Sequence, residues 1–193
     1  MYEFLRGEIA DLNPALAVVD VGGVGYAVHI SLNTFTALNR QKNAKIFTHQ
    51  IVRDDAHILY GFATVTEREL FRSLLSVNGV GAATALMMLS SLSSDEIASA
   101  ITSENVSLLK SVKGIGLKTA QRIIIELKDK LGKMSVTGQI LIPSDNTISN
   151  EALSALVMLG FMRKDAEKAI AGILKENPEL NVETVIKQAL KRI

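Results

Sequence analysis

One pattern in this chain has residue types and spacing suited to chemistry, and it occurs twice. Ser76-Val77-Asn78-Gly79-Val80-Gly81 returns 35 positions later as Ser111-Val112-Lys113-Gly114-Ile115-Gly116. Agreement extends beyond the hexamer: Leu74 matches Leu109, Thr84 matches Thr119, Ala85 matches Ala120 and Leu89 matches Ile124. Each copy reads as helix, tight apolar-Gly-apolar-Gly turn, helix. The second glycine lets the next helix begin with bare backbone N–H groups, whose unpaired donors and partial positive charge suit a phosphate oxygen. A lone Gly-x-Gly between helices also serves structural and protein-binding hairpins. The duplication is more specific, because two hairpins about a pseudo-two-fold axis place two anion sites at one separation, matching phosphates on both strands of a duplex. Backbone amides see phosphate and not base edges, so such recognition is independent of sequence.

Side chains distinguish the copies. Lys118 follows the second turn by two residues and Arg122 lies one helical turn further, both placed to project towards a phosphate at Gly114–Gly116. The first copy has Ala83 where the second has Lys118, so it is expected to depend on backbone alone and to be the weaker grip. Gly114-Ile115-Gly116-Leu117-Lys118-Thr119 is not a nucleotide-binding P-loop, which needs glycine immediately before lysine and a strand before the loop. Asp54-Asp55 is the other chemical candidate. Adjacent carboxylates at a turn diverge, and no third carboxylate or His is placed beside them by spacing, so a metal or catalytic pair is disfavoured. Carboxylates can instead repel phosphates and select a DNA shape that avoids them.

The elements that position these residues follow from periodicity. Residues 1–62 read as short strands with one small helix: Tyr2–Asp11, Leu16–Val21, Tyr26–Ile30, a helix over Leu32–Leu38 capped by Ser31, then Lys45–Val52 and His57–Phe62 as a hairpin closed at Arg53-Asp54-Asp55-Ala56. That set fits a small closed barrel of the OB type, or a fragment of a β-sandwich. From Thr66 the period becomes helical. Ser93 and Glu96 have the spacing of a capping box, Ser103 or Asn105 caps the next helix, and Leu117–Leu131 is the longest helix, with Gly132 as its stop. Residues 133–149, rich in Ser, Thr, Gly, Pro, Asp and Asn, read as a flexible linker. Residues 150–193 suit three helices, Asn150–Leu159, Lys164–Lys175 and Val182–Lys191.

Composition excludes more than it specifies. No cysteine is present, which removes disulfides and thiolate metal sites and suits a cytoplasmic location. No apolar run reaches the length of a membrane span. The net charge is only +1, and it is not concentrated in any third of the chain. DNA binding must therefore rest on locally placed donors rather than on a diffuse basic field.

Read with these residues, the chain resembles the RuvA family of bacterial Holliday-junction-binding proteins over its whole length. The resemblance is carried by Gly22-Gly23-Val24-Gly25-Tyr26, by Phe47-Thr48-His49 with Val52–Phe62, by both hairpin turns and by Leu156–Phe161. It implies an α+β, multidomain fold: an OB-like barrel over 1–63, a tandem helix-hairpin-helix domain over 64–132, the linker, and a UBA-like three-helix domain over 150–193. It further implies a homotetramer, or an octamer of two tetramers face to face, clasping an open four-way junction, with Asp54 and Asp55 as an acidic pin at its centre. The family usually has Glu first in that pair, so Asp54 is a shorter substitution of the same charge.

The DNA-binding set expected is Gly79, Val80, Gly81, Gly114, Ile115, Gly116, Lys118, Thr119 and Arg122, with Arg53 beside the pin. The C-terminal helices would bind RuvB, the hexameric ATPase that drives branch migration, with Leu156, Leu159, Phe161 and Ile170 as candidate contacts. RuvC, the resolving nuclease, is a further partner. No catalytic residue, metal or cofactor is expected. The rival reading is a general duplex-binding accessory module of a nuclease or ligase complex.

Overall fold

The computed structural model describes residues 2–137 and 147–193, with side chains described for 2–128 and 148–193. Five strands close a barrel in the order β1-β2-β3-β5-β4: β1 (Phe4–Asn13), β2 (Leu16–Val21), β3 (Val24–Ile30), β4 (Asn43–Val52) and β5 (His57–Phe62). Every pairing is antiparallel except β3 with β5. Closure removes the sandwich alternative, since β4 pairs with both β1 and β5 and leaves no free edge. The two-residue turn from β2 to β3 needs left-handed backbone, and Gly22 and Gly23 supply it at φ +65° and +90°. Alternating inward residues, among them Leu5, Val19, Val28, Ile30, Ile46 and Leu59, fill the barrel. Helix α1 (Leu32–Leu38) bridges β3 and β4, with the Ser31 side chain accepting the Thr34 N–H as its cap.

The helical half follows without a spacer: α2 (Val65–Leu75), α3 (Ala82–Ser91), α4 (Ser94–Thr102), α5 (Val106–Lys110) and α6 (Leu117–Thr137). Thr64, two residues before the expected start, caps α2. The capping box of Ser93 and Glu96 is formed, and Asn105 rather than Ser103 caps α5. Helix α6 runs past Gly132, where a stop was expected. Glycine in a helix interior costs only about 1 kcal/mol relative to alanine, and the helix-forming Lys133 and Met134 follow it. Residues 133–137, read as linker, are therefore helical, while 138–146 of that linker lie outside the described residues.

Barrel and hairpins share one compact unit, Met1–Gln139. Phe71 of α2 is the joint: its ring packs 4.9 Å from Phe62 and 5.1 Å from Tyr60, both on β5, and 5.6 Å from His49 on β4. The second unit, Ile140–Ile193, holds α7 (Thr147–Met158), α8 (Arg163–Glu176) and α9 (Val182–Ala189). These close on a small core of Leu153, Leu156, Ala166, Ile170, Ile173 and Val185. Helix α7 starts three residues before the expected Asn150.

Candidate nucleic-acid interface

The repeat in sequence is a repeat in space. Val77 and Val112 are buried at the foot of their turns, as are Val80 and Ile115, and Ala85 and Ala120 are buried one turn into the following helices. In both copies the first glycine is left-handed, Gly79 at φ +91° and Gly114 at φ +93°. In both, the apolar residue between the glycines folds its N–H back inside the turn: Val80 to the Val77 carbonyl at 3.0 Å, Ile115 to the Val112 carbonyl at 3.1 Å. This corrects two members of the expected set. Val80 and Ile115 offer neither side chain nor N–H to a ligand; they anchor the turns, because their side chains lie in the core and their amides are already bonded.

The glycine amides remain. Among the described residues, no acceptor is present for the N–H of Gly79, Gly81, Gly114 or Gly116. Gly81 opens α3 with extended backbone (φ −88°, ψ 171°) and no side-chain cap. A Cβ built at Gly81 or Gly116 would meet nothing within 4 Å. Among the described residues no steric contact requires glycine at those two positions, and their φ values lie outside the left-handed range. What glycine provides there is an uncovered approach to the first amides of α3 and α6, which is what a phosphate needs.

Side chains make the two grips unequal, in a way only partly visible beforehand. Lys118 is exposed in the first turn of α6, with Thr119 half-buried beside it. Lys113, exposed in the second turn itself, was missed by sequence reasoning, although the repeat aligns it with Asn78 and so displays it as an added cation. Arg122 departs from expectation. It does not serve the second turn alone: its Nη1 donates to the Asn78 carbonyl at 3.1 Å, reaching across to the first turn. Glu126 lies 4.0 Å from its Nε. The first grip, lacking a lysine at Ala83, is therefore not without a cation. No linear signal reports this contact, since 44 residues separate its partners.

The acidic pair stands where the hairpin β4–β5 turns. Arg53 and Ala56 exchange backbone hydrogen bonds of 2.8 and 3.4 Å, which leaves Asp54-Asp55 as a two-residue tip. Arg53, Asp54 and Asp55 are all exposed. Neither carboxylate has an ion pair or hydrogen bond among the described residues, and no group of three metal-ligating side chains is present among them. An uncompensated double negative charge at an exposed tip is a repulsive element for phosphate.

In the C-terminal unit, the candidate contacts separate cleanly. Leu156 and Ile170 are fully buried in the bundle core and unavailable to a partner, because three short helices need them to close on each other. Leu159 is 61% exposed and Phe161 is partly buried. Between α7 and α8 the chain turns at Gly160 (φ +96°), and the Phe161 N–H donates to the Leu156 carbonyl at 3.1 Å. That turn presents two further apolar side chains that sequence reasoning overlooked, Met158 (88% exposed) and Met162 (72%). Thioethers on a protruding turn suit an adaptable apolar contact.

A closed five-stranded barrel joined to paired helical hairpins with open glycine amides defines a tandem helix-hairpin-helix protein of the type that holds a nucleic-acid backbone. Comparison with known proteins finds three family models along the chain. Residues 1–61 match the RuvA N terminal domain, 71–129 the SAM-like helix-hairpin-helix tandem, and 147–193 the RuvA C-terminal domain. Proteins named Holliday junction branch migration complex subunit RuvA align over the full length of both chains, with 50% identity in Bacteroides thetaiotaomicron, 48% in Christiangramia forsetii and 47% in Flavobacterium psychrophilum. The chain belongs to the RuvA family.

Proposed function

We propose that this chain binds four-way (Holliday) DNA junctions without sequence preference, holds them open and planar, and recruits the RuvB ATPase for branch migration. It contributes no catalysis of its own. The observation that carries the reading is the pair of equivalent turns whose glycine amides are free and uncovered. Each can take a phosphate oxygen at a helix N-terminus, and neither reaches a base edge. Lys113 and Lys118 add charge to the second grip and Arg122 to the first. Affinity accordingly falls steeply with salt.

Grips alone hold duplex; selection of a junction needs copies of the chain arranged about a centre. In a homotetramer, or a face-to-face octamer, the tips carrying Asp54 and Asp55 converge, and their carboxylates push strand phosphates apart at the crossover. Leu159, Phe161, Met158 and Met162 supply the apolar contact for RuvB, and RuvC acts on the junction so held. The setting is the cytoplasm, where the absence of cysteine is unremarkable.

Competition binding tests the reading. A four-way junction should displace labelled junction far better than linear duplex of equal arm length, and mass in solution should show an assembly of at least four chains. Equal competition by duplex would instead favour the accessory-module reading. Changing Asp54 and Asp55 together to Asn should leave junction affinity equal or higher while altering strand separation with the motor. A collapse of affinity would assign the acids a structural role.

A further inference from the structure

Barrel and hairpins are joined covalently by two residues, Ala63 and Thr64, yet the relation between the acidic tip and the two grips must be fixed for a junction to be read. The apolar seam of Phe62, Tyr60 and Phe71 holds the halves together, but apolar contact has little directional preference and tolerates sliding. Direction comes from hydrogen bonds.

Four consecutive barrel residues at the start of α1 all bond into the helical half. Ser31 Oγ donates to Glu67 Oε1, and Thr34 Oγ1 donates to Glu67 Oε2 at 2.7 Å. The Leu32 N–H donates to Ser90 Oγ at 3.1 Å. Asn33 Nδ2 donates to the carbonyls of Leu89 and Leu92 at 2.7 and 3.0 Å, closing the last turn of α3. Thr34 Oγ1 also accepts the N–H of Ala63, within the connection itself, at 3.0 Å.

Ser31, Thr34 and Glu67 are buried, and Glu67 has no cationic partner among the described residues. A buried carboxylate held only by hydroxyls tolerates little displacement, because each lost bond leaves desolvated charge uncompensated. From the next residue of α2, Arg68 Nη1 donates to the Glu3 carboxylate at 2.6 Å and to the Glu3 carbonyl at 2.9 Å. Two consecutive residues of α2 thus tie its first turn to separate parts of the barrel.

We propose that Ser31–Thr34, with Glu67 and Ser90, form an interdomain latch that sets the attitude of the phosphate grips relative to the acidic tip. Preference for a four-way junction over plain duplex depends on this latch, whereas the grip on duplex does not. The inference rests on the junction reading above. These are positioning residues, since none of them touches DNA in that reading.

The test uses the full chain and spares the buried carboxylate. Asn33 is exposed and Ser90 half-buried, so Asn33→Ala with Ser90→Ala opens the outer half of the latch and leaves the Ser31–Thr34–Glu67 contacts in place. Dissociation constants for a four-way junction and for linear duplex, measured at one salt concentration, give a selectivity ratio. Amide hydrogen exchange over α1 and the end of α3 reports whether the latch has opened. The double variant is expected to exchange faster there and to bind duplex within about twofold of the unaltered chain, while its junction-to-duplex ratio falls about tenfold.

Asn33→Asp separates direction from shape: it keeps the volume but aims a carboxylate at two carbonyls at the negative end of α3, so its ratio should fall below that of Asn33→Ala. A ratio unchanged in variants whose exchange shows an open latch would overturn the proposal, as would Asn33→Asp behaving like the unaltered chain. Equal affinity of the unaltered chain for both DNAs would overturn the junction reading, and this role with it. A preference that persists in every variant overturns the latch alone.

Discussion

Arg122 belongs by sequence to the second grip and by geometry to the first. Its guanidinium rests on the Asn78 carbonyl, beside a turn whose own lysine position is Ala83. Arg122→Gln should therefore weaken junction binding and reduce the salt dependence of log affinity by about one unit per chain, since one phosphate contact is lost. Adding Ala83→Lys to that variant should restore both, whereas restoration by a lysine placed elsewhere on α3 would argue against the assignment. His49 makes a different kind of contact: its Nδ1 accepts from Arg72 Nε at 3.4 Å at the joint between barrel and α2. Burial, and then the Arg72 cation, hold its pKa below the ordinary 6.5, so the fold favours the neutral ring. Stability from this source is complete above about pH 6.5 and is lost as pH falls through the folded pKa. Glu3, held below the usual carboxylate range by its hydrogen bond to Arg68 and that residue's charge, is lost only in a lower window, beneath its ordinary 4.5. The melting temperature should thus decline as pH drops below about 6.5, and His49→Gln, which can still accept from Arg72 without titrating, should flatten that slope. Little of this was legible in the chain. Lys118 and Ala83 could be compared because the repeat aligns them, but the Arg122 and Arg72 contacts join residues far apart in sequence.

At the scale of elements the two glycines of each turn have different physical duties, and substitution separates them. Gly79→Ala or Gly114→Ala forces a Cβ into left-handed backbone, so each should cost about 1–2 kcal/mol and weaken binding as well. Gly81→Ala adds a methyl group to open space at an ordinary φ. Its melting temperature should stay within about 3 °C of the parent while junction affinity drops, because the methyl stands over the amides a phosphate must approach. An equal loss of stability and binding in all three would show that the second glycine is structural. These elements were the most readable part of the sequence. Strand alternation, the Ser31 cap, the Ser93–Glu96 box and the doubled hairpin are local signals, and each appears in the structure. Two readings failed for reasons equally physical. Glycine only weakens a helix, so α6 continues past Gly132, and a tight turn directs its middle amide inward, so Val80 and Ile115 anchor the turns instead of offering donors.

The whole molecule divides its work between two units, and the smaller depends on a thin core. Leu156→Ala removes a fully buried side chain and should cost about 3 kcal/mol, enough to unfold a bundle of this size. Met158→Ser with Met162→Ser should instead leave bundle stability and junction affinity intact while abolishing stimulation of RuvB by the full chain. Loss of the bundle's helical signal in that pair would move both methionines into the core. The distinction between Leu156 and Leu159 was not accessible from sequence, since both fall within the helix expected over Asn150–Leu159, whereas α7 ends at Met158 and leaves Leu159 in the turn beyond it. The open glycine amides have a consequence for motion. If both turns meet DNA as proposed, through backbone that senses only phosphate, every nucleotide along a strand presents the same target, and the energy of the complex repeats with each step. A surface that read base edges would stall advancing DNA at favoured sequences. On that reading this one would act as a bearing, opposing departure of the strands while leaving their threading almost without friction.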